Sequence, residues 1–339
     1  YIKEDAGKRL VGIFEGNSIP AWDKTNIVPE DFSFGEFQEN FDHFEPYLTS
    51  AIKRFPVLET AGIRKFFSGP ESFTPDTNTL LGEVPEVKNF FVCCGLNSIG
   101  IGSGGGVGKA TAEWMMTGHI NEDIFNYDIK RFQNFHSKLD FIKSRITESL
   151  GDLYGMHWPF KQHKTSRNIK TLPHHENLKS FGACFGVSGG YERPMWFALD
   201  GEKAEYEYSY NFQSWYPSAE YETNNTIKNV GLFDLTPFSK FEIKSDKAHH
   251  ELQKICTANI KNEPGKCVYT HMLNPDGGIE TDLTVVCIEK NHFRIISSAA
   301  TRERDKFHIK KYLSKNIELK DITDDLCVLG LFGPKSRDL

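Results

Sequence analysis

The chain has 339 residues, of which 39% are hydrophobic, 25% charged and 13% aromatic, and its formal net charge is −6. That length exceeds what one hydrophobic core usually serves, so two or three domains are expected, and the composition excludes a disordered or low-complexity chain. Mean hydropathy is −0.45, no apolar run approaches the roughly 20 residues that span a bilayer, and Lys and Arg are scattered rather than gathered into a phosphate-binding patch. Neither a membrane nor a nucleic acid is therefore expected as a partner.

Tyr1 to Lys3 and Arg9 to Phe14 read as a hairpin around Asp5-Ala6-Gly7. Phe37, Phe41, Phe44, Leu48, Ala51 and Phe55 recur at steps of three and four, one face of a helix, which Pro46 is expected to kink or restart. Ile63 to Phe67 alternates like a strand. Phe90 to Cys94 is a short continuous apolar run, as in a strand covered on both faces. Glycine-rich Gly95 to Gly108 follows, opening into a helix from about Val107 to Thr117 that Gly118 closes. Tyr127 to Lys179 reads as a connector with a short helix around Phe132 to Leu150. After Val230 strands alternate with helices: strands at Gly231–Leu235 and Phe238–Ile243, then a helix at Lys247–Thr257. Val268–Leu273 is expected to pair with Thr281–Ile288 across Pro275-Asp276-Gly277-Gly278. A strand at Phe293–Ser297, a helix at Asp305–Tyr312 and a strand at Leu326–Phe332 complete the pattern.

The chain carries 7 cysteines, none in a C-x-x-C pair and most in apolar runs. Buried free thiols are expected rather than a disulfide scaffold or a zinc site. The N-terminus lacks a basic stretch leading into an apolar one, so no secretory leader is expected, and Tyr1 is expected to lie inside a domain.

Two constellations bear on chemistry. In FFVCCGLNSIGIGSGGGVGKATAEW a strand runs through glycines into a helix, a pattern that brings backbone amides and a helix N-terminus close to an anion or nucleotide. Gly100-x-Gly102-x-x-Gly105 matches a dinucleotide loop, but no second strand carries the acidic partner, and Ser103 and Ala110 break a Walker A pattern. The plain alternative is a turn that lets helix and sheet pack closely. Asp282 opens an apolar strand, sharing a face with Glu280 and Thr284; it is either a ligand or proton-handling carboxylate or a solvated edge charge. The pairs His174-His175 and His249-His250 lack the spacing that puts two metal ligands on one helix face, so no metal is expected.

The run Gly69-Pro70-Glu71-Ser72-Phe73-Thr74-Pro75-Asp76, with Leu81-Gly82-Glu83, Gly95-Leu96-Asn97-Ser98-Ile99-Gly100 and Tyr191-Glu192-Arg193-Pro194, resembles the sarcosine and dimethylglycine dehydrogenase family of D-amino-acid-oxidase-like flavoproteins. Leu232-Phe233-Asp234-Leu235-Thr236, Tyr269 to Leu273, Gly277-Gly278 and Asp282 to Val285 are similar to the aminomethyltransferase (glycine-cleavage T-protein) fold. The resemblance implies a multidomain α/β and α+β chain. Residues 1–125 would be the C-terminal part of an FAD-binding oxidoreductase domain, 126–180 a central connector, and 181–339 the N-terminal part of an aminomethyltransferase-like folate domain. It implies FAD beside Pro75, Asp76, Gly95, Asn97, Ser98, Ile99, Gly100, Ile101 and Gly102. It likewise implies tetrahydrofolate at Asp282, the expected catalytic residue, whose carboxylate would contact the pterin.

The implied reaction is oxidation of the N-methyl group of a small amine, sarcosine or dimethylglycine. Its one-carbon unit would pass to tetrahydrofolate and its electrons to a flavoprotein or oxygen acceptor. The family's pyrophosphate-binding G-x-G-x-x-G half and its flavin-linked histidine are not among these residues, so an internal slice of a longer enzyme, inactive alone, is expected. A cytoplasmic place is implied if the source is bacterial, the mitochondrial matrix if eukaryotic. A non-catalytic regulatory subunit, like that of pyruvate dehydrogenase phosphatase, resembles the same family and is the alternative.

Overall fold

The computed structural model describes residues 1–339 apart from Asn17, Asn26, Asn121 and Glu122. Strands β1 (Ile2–Asp5) and β2 (Lys8–Val11) form the expected hairpin, turning at Ala6-Gly7 with both residues at positive φ. Helix α1 (Phe41–Arg54) starts at Asn40, whose Oδ1 accepts from the His43 amide. It runs on through Pro46 without the expected restart, and Phe37 lies outside it, bridged to Ser68. A proline six residues into a helix forfeits one backbone bond, and here that turn buries nothing that would demand a break. The alternating Ile63–Phe67 segment forms no strand; alternation alone supplies no partner to pair with.

Strands β3 (Leu80–Glu83) and β4 (Phe91–Cys94) form a two-stranded sheet, and Leu81 of β3 also bridges to Asp128. Cys93 and Cys94 are exposed, so the apolar run is not covered on both faces as expected. Among the thiols Cys184, Cys256 and Cys287 are buried, while Cys93, Cys94, Cys267 and Cys327 are exposed, which corrects the expectation of buried cysteines throughout. The next helix, α2 (Gly100–Thr117), also departs from expectation: the glycine run is itself helical, and Gly118 in the left-handed conformation ends it. Trp114 on α2 packs against Gly82 of β3, which has φ +102 and whose Cα lies so near the indole that a Cβ would enter the ring.

Short 3₁₀ turns at Phe125–Tyr127, Ile129–Arg131 and Asn134–Ser137 lead into α3 (Leu139–Leu153), then α4 (His175–Ser180). Strands β5 (Ala183–Ser188) and β6 (Tyr191–Phe197) make a hairpin about Gly189-Gly190, and α5 (Tyr216–Lys228) follows; the sequence reading had assigned neither. Strand β7 (Gly231–Asp234) pairs with the last strand, β13 (Leu329–Phe332).

Between them β8 (Ser239–Lys244), α6 (Ala248–Ile255), β9 (Cys267–Leu273), β10 (Ile279–Glu289), β11 (His292–Ser297), α7 (Arg302–Tyr312) and β12 (Leu319–Asp321) build the main core. The strands form an antiparallel sheet in the order β12-β8-β11-β10-β9. One face buries Phe241, Ile243, Met272, Leu283, Phe293 and Ile295 against Leu252 of α6 and Ile309 of α7. Truncating such a phenylalanine to alanine typically costs about 3–5 kcal/mol. The other face mixes polar and apolar side chains and carries Tyr269, His271 and Asp282 of the β9–β10 hairpin.

Candidate functional site

The first cluster surrounds the N-terminus of α2. Gly95, Asn97 and Ser98 all have positive φ, folding the chain from β4 into the helix through a tight loop. Only glycine adopts that region freely, so the two others are held by contacts. Buried Asn97 accepts from the Thr74 amide at 2.8 Å through Oδ1 and donates from Nδ2 to the Gly95 carbonyl at 2.6 Å. Ser98 Oγ donates to Glu71 at 2.9 Å. The Pro75 carbonyl accepts from Ser149 of α3 at 2.7 Å. Asp76 accepts from Arg131 Nε at 2.6 Å and Nη2 at 2.9 Å. The structure thus brings Pro75, Asp76, Gly95, Asn97 and Ser98 together with Ile99, Gly100, Ile101 and Gly102, which begin the helix.

No side chain caps α2, whose first-turn amides have no intrahelical acceptor. Ile101 is fully exposed. A Cβ at Gly102, Gly104, Gly105, Gly106 or Gly108 would meet nothing within 4 Å. Each helical glycine costs about 1 kcal/mol relative to alanine, and none of these five is repaid by a contact within the chain. An open, glycine-rich helix surface with an uncapped positive end fits a flat group approaching the backbone. Gly100-x-Gly102-x-x-Gly105 lies inside the helix rather than in a strand-to-helix turn, so it is not a pyrophosphate loop.

The second cluster lies on the face of the β9–β10 hairpin turned away from the core. Register pairs Asp282 with His271 and Thr284 with Tyr269, so Tyr269, His271 and Asp282 share one face. The Tyr269 hydroxyl donates to Asp282 Oδ2 at 3.1 Å, and the rings of Tyr269 and His271 meet edge-on with centroids 5.3 Å apart. The hydrogen bond its hydroxyl donates to Asp282 raises the Tyr269 phenol above its ordinary pKa, because ionising it would lose that bond, and the carboxylate's charge adds to the effect. Asp282 is exposed, and its inward neighbours Thr281 and Leu283 are buried, as strand alternation requires. The sequence reading missed Tyr269 as a partner. A bulge between Ile279 and Thr281 shifts the register by one, so counting back from the turn sets Asp282 opposite Thr270 and hides the pair.

One histidine of each pair has a structural contact: His175 packs on Phe185, and His249 bonds the Ile260 carbonyl at 2.8 Å. Ligand atoms of Glu148, Asp152 and His163 lie within 4.8 Å of one another. Glu148 already accepts from the Lys164 and Thr165 amides and the Thr165 hydroxyl, and Asp152 from Lys161.

Comparison with known proteins matches this architecture in order. Residues 5–114 match the FAD dependent oxidoreductase family, residues 117–171 its central domain, and residues 174–339 the GCVT N-terminal domain. The chain belongs to the family that joins an FAD-dependent oxidoreductase domain to a GCVT-type domain. FAD is the cofactor of the first part of that architecture and tetrahydrofolate that of the second. Among its relatives is the 4-methylaminobutanoate oxidase (formaldehyde-forming) of Paenarthrobacter nicotinovorans, 38% identical over 100% of this chain and 41% of the relative. The mitochondrial pyruvate dehydrogenase phosphatase regulatory subunit of Mus musculus is 34% identical over 100% of this chain and 39% of its own length. The mitochondrial sarcosine dehydrogenase of Mus musculus is 32% identical, again over 100% of this chain and 41% of that protein. The chain thus spans about two fifths of the length of these family members. Among its described residues no helix is long and apolar enough to cross a membrane.

Proposed function

We propose that this chain serves an enzyme that oxidises the N-methyl group of a small amine on FAD and passes the one-carbon unit to tetrahydrofolate. The observation that carries the reading is the open, uncapped, glycine-rich surface of α2, joined through the connector to a sheet whose face away from the core presents the Tyr269–Asp282 pair. FAD supplies the electron sink for removing hydride from the methyl carbon. The α2 N-terminus would favour negative charge at the flavin edge that faces Ile99, Gly100, Ile101 and Gly102. Asn97 and Asp76 act one step back: their side chains are spent on Thr74 and Arg131, so they fix the loop rather than reach a ligand. At the other end Asp282 would accept from a pterin donor, with Tyr269 holding the carboxylate in place. Residues 1–125, 126–180 and 181–339 would divide these tasks as flavin part, connector and folate part.

The relatives named for 4-methylaminobutanoate and sarcosine favour a secondary N-methyl amino acid as substrate. The test is anaerobic titration of the full-length flavoprotein with sarcosine, dimethylglycine and 4-methylaminobutanoate. Loss of the oxidised-flavin absorbance with one of them is expected. A second reading follows from the phosphatase regulatory subunit among the relatives: a flavin-less or flavin-inert regulator. Absorbance unchanged by every N-methyl amine would establish it instead.

A further inference from the structure

One side chain touches all three parts. Lys130, in the connector, is buried, and its ammonium lies 4.8 Å from the Trp114 ring of α2 and 4.8 Å from the Phe307 ring of α7. Its Nζ also meets Asp128 Oδ1 at 2.9 Å and donates to the Glu83 carbonyl of β3 at 3.1 Å. Asp128 is equally buried, and its Oδ1 accepts from the Lys130 amide at 2.9 Å, so the carboxylate orients the lysine twice over. A desolvated ammonium between two aromatic faces is held by both ring quadrupoles, and a buried pair has few arrangements that keep every proton satisfied. Around it, Lys311 Nζ donates to the Gly118 carbonyl at 2.6 Å, and His119 Nε2 meets Asp276 at 2.8 Å. Both contacts bind the end of α2 to the GCVT-type part.

We infer that Lys130 is a positioning residue that locks helix α7 of the GCVT-type part to helix α2 of the oxidoreductase part, fixing the path between the flavin and folate sites. The functional half of this inference rests on the reading above. The product of N-methyl oxidation is an iminium ion, CH2=N⁺. Water adds to its carbon and breaks the C–N bond, releasing formaldehyde and the amine, unless tetrahydrofolate nitrogen adds to that carbon first and the amine leaves. A fixed junction favours the second outcome because it keeps the two sites in one geometry.

The test uses the full-length protein carrying Phe307→Leu, which removes one ring and leaves the Lys130–Asp128 pair intact, alongside Lys130→Arg, which keeps the charge. Hydrogen exchange is read at residues 123–131 and 302–312, and products are counted as formaldehyde against the folate adduct. In Phe307→Leu exchange should rise about tenfold in both segments together, with amine oxidation unchanged and the formaldehyde share at least doubled; Lys130→Arg should restrain both effects. Faster exchange confined to 302–312 overturns the lock. Faster exchange in both segments with an unchanged product share overturns the positioning role. If the wild type oxidises no N-methyl amine, the proposed function fails while the exchange result still judges the lock by itself.

Discussion

Arg131 grips Asp76 with two parallel hydrogen bonds, Nε to Oδ2 at 2.6 Å and Nη2 to Oδ1 at 2.9 Å, and with the same Nη2 reaches the Asn78 carbonyl at 2.9 Å. This fork ties the Thr74–Asn78 loop to the connector, and that loop in turn holds Asn97 at the entrance to α2. Replacing Arg131 by leucine leaves a half-buried carboxylate without its partner. A loss of roughly 2–3 kcal/mol is expected, read as a lower urea midpoint with unchanged slope. Asp76→Asn, which keeps one acceptor, should lose less.

Asp282→Asn should slow transfer of the one-carbon unit to tetrahydrofolate by about 10²-fold or more while leaving flavin reduction by the amine at its wild-type rate. Equal loss of both rates would show that Asp282 acts on the fold. The same substitution should lower the Tyr269 pKa toward the ordinary phenol value, because the strong hydrogen bond to a carboxylate is weakened and its negative charge is gone. Ultraviolet titration of the phenolate against a Tyr269→Phe control measures it.

The five open glycines of α2 make opposite predictions for helix and cofactor. A Cβ at Gly105 meets no atom within 4 Å in this chain, and Gly105→Leu improves helix propensity by under about 1 kcal/mol. In the full-length protein it should nevertheless sharply reduce bound flavin, measured by the 450 nm absorbance per chain at about equal yield. Full flavin content in that variant would move the cofactor away from this surface.

Asp305 is buried in α7, its pKa pushed up to about 6 by burial, while Oδ2 accepts from Thr301 at 2.8 Å. A carboxyl raised in the folded state binds more protons folded than unfolded between its ordinary value of 3.8 and about 6. The stability it contributes is present below the lower value and is lost as pH rises through the upper one. Asp305→Asn has no such loss, so its stability relative to wild type should climb by about 2–3 kcal/mol between pH 4 and 7. Parallel unfolding curves at both pH values would refute this.

Strong local signals were legible in the sequence. The Pro275-Asp276-Gly277-Gly278 turn with flanking alternation announced the β9–β10 hairpin, and that alternation placed Asp282 opposite buried Leu283. The glycine run ahead of Trp114 announced a helix and an exposed backbone, though its start fell seven residues earlier than expected at Gly100; glycine's low propensity hid the helix. Ile63–Phe67 misled because alternation is only half of a strand.

What the sequence determined by itself is therefore local: period, turn chemistry and the order of the parts, each written in neighbouring residues. The tertiary structure decided what those residues touch. It joined Asp76 to Arg131 and Asn97 to Thr74, and it paired Tyr269 with Asp282. It also set Lys130 between Trp114 and Phe307, 16 residues beyond one ring and 177 before the other. No local pattern encodes such a sandwich, because burial and cation–π attraction depend on which surfaces meet after the chain has folded.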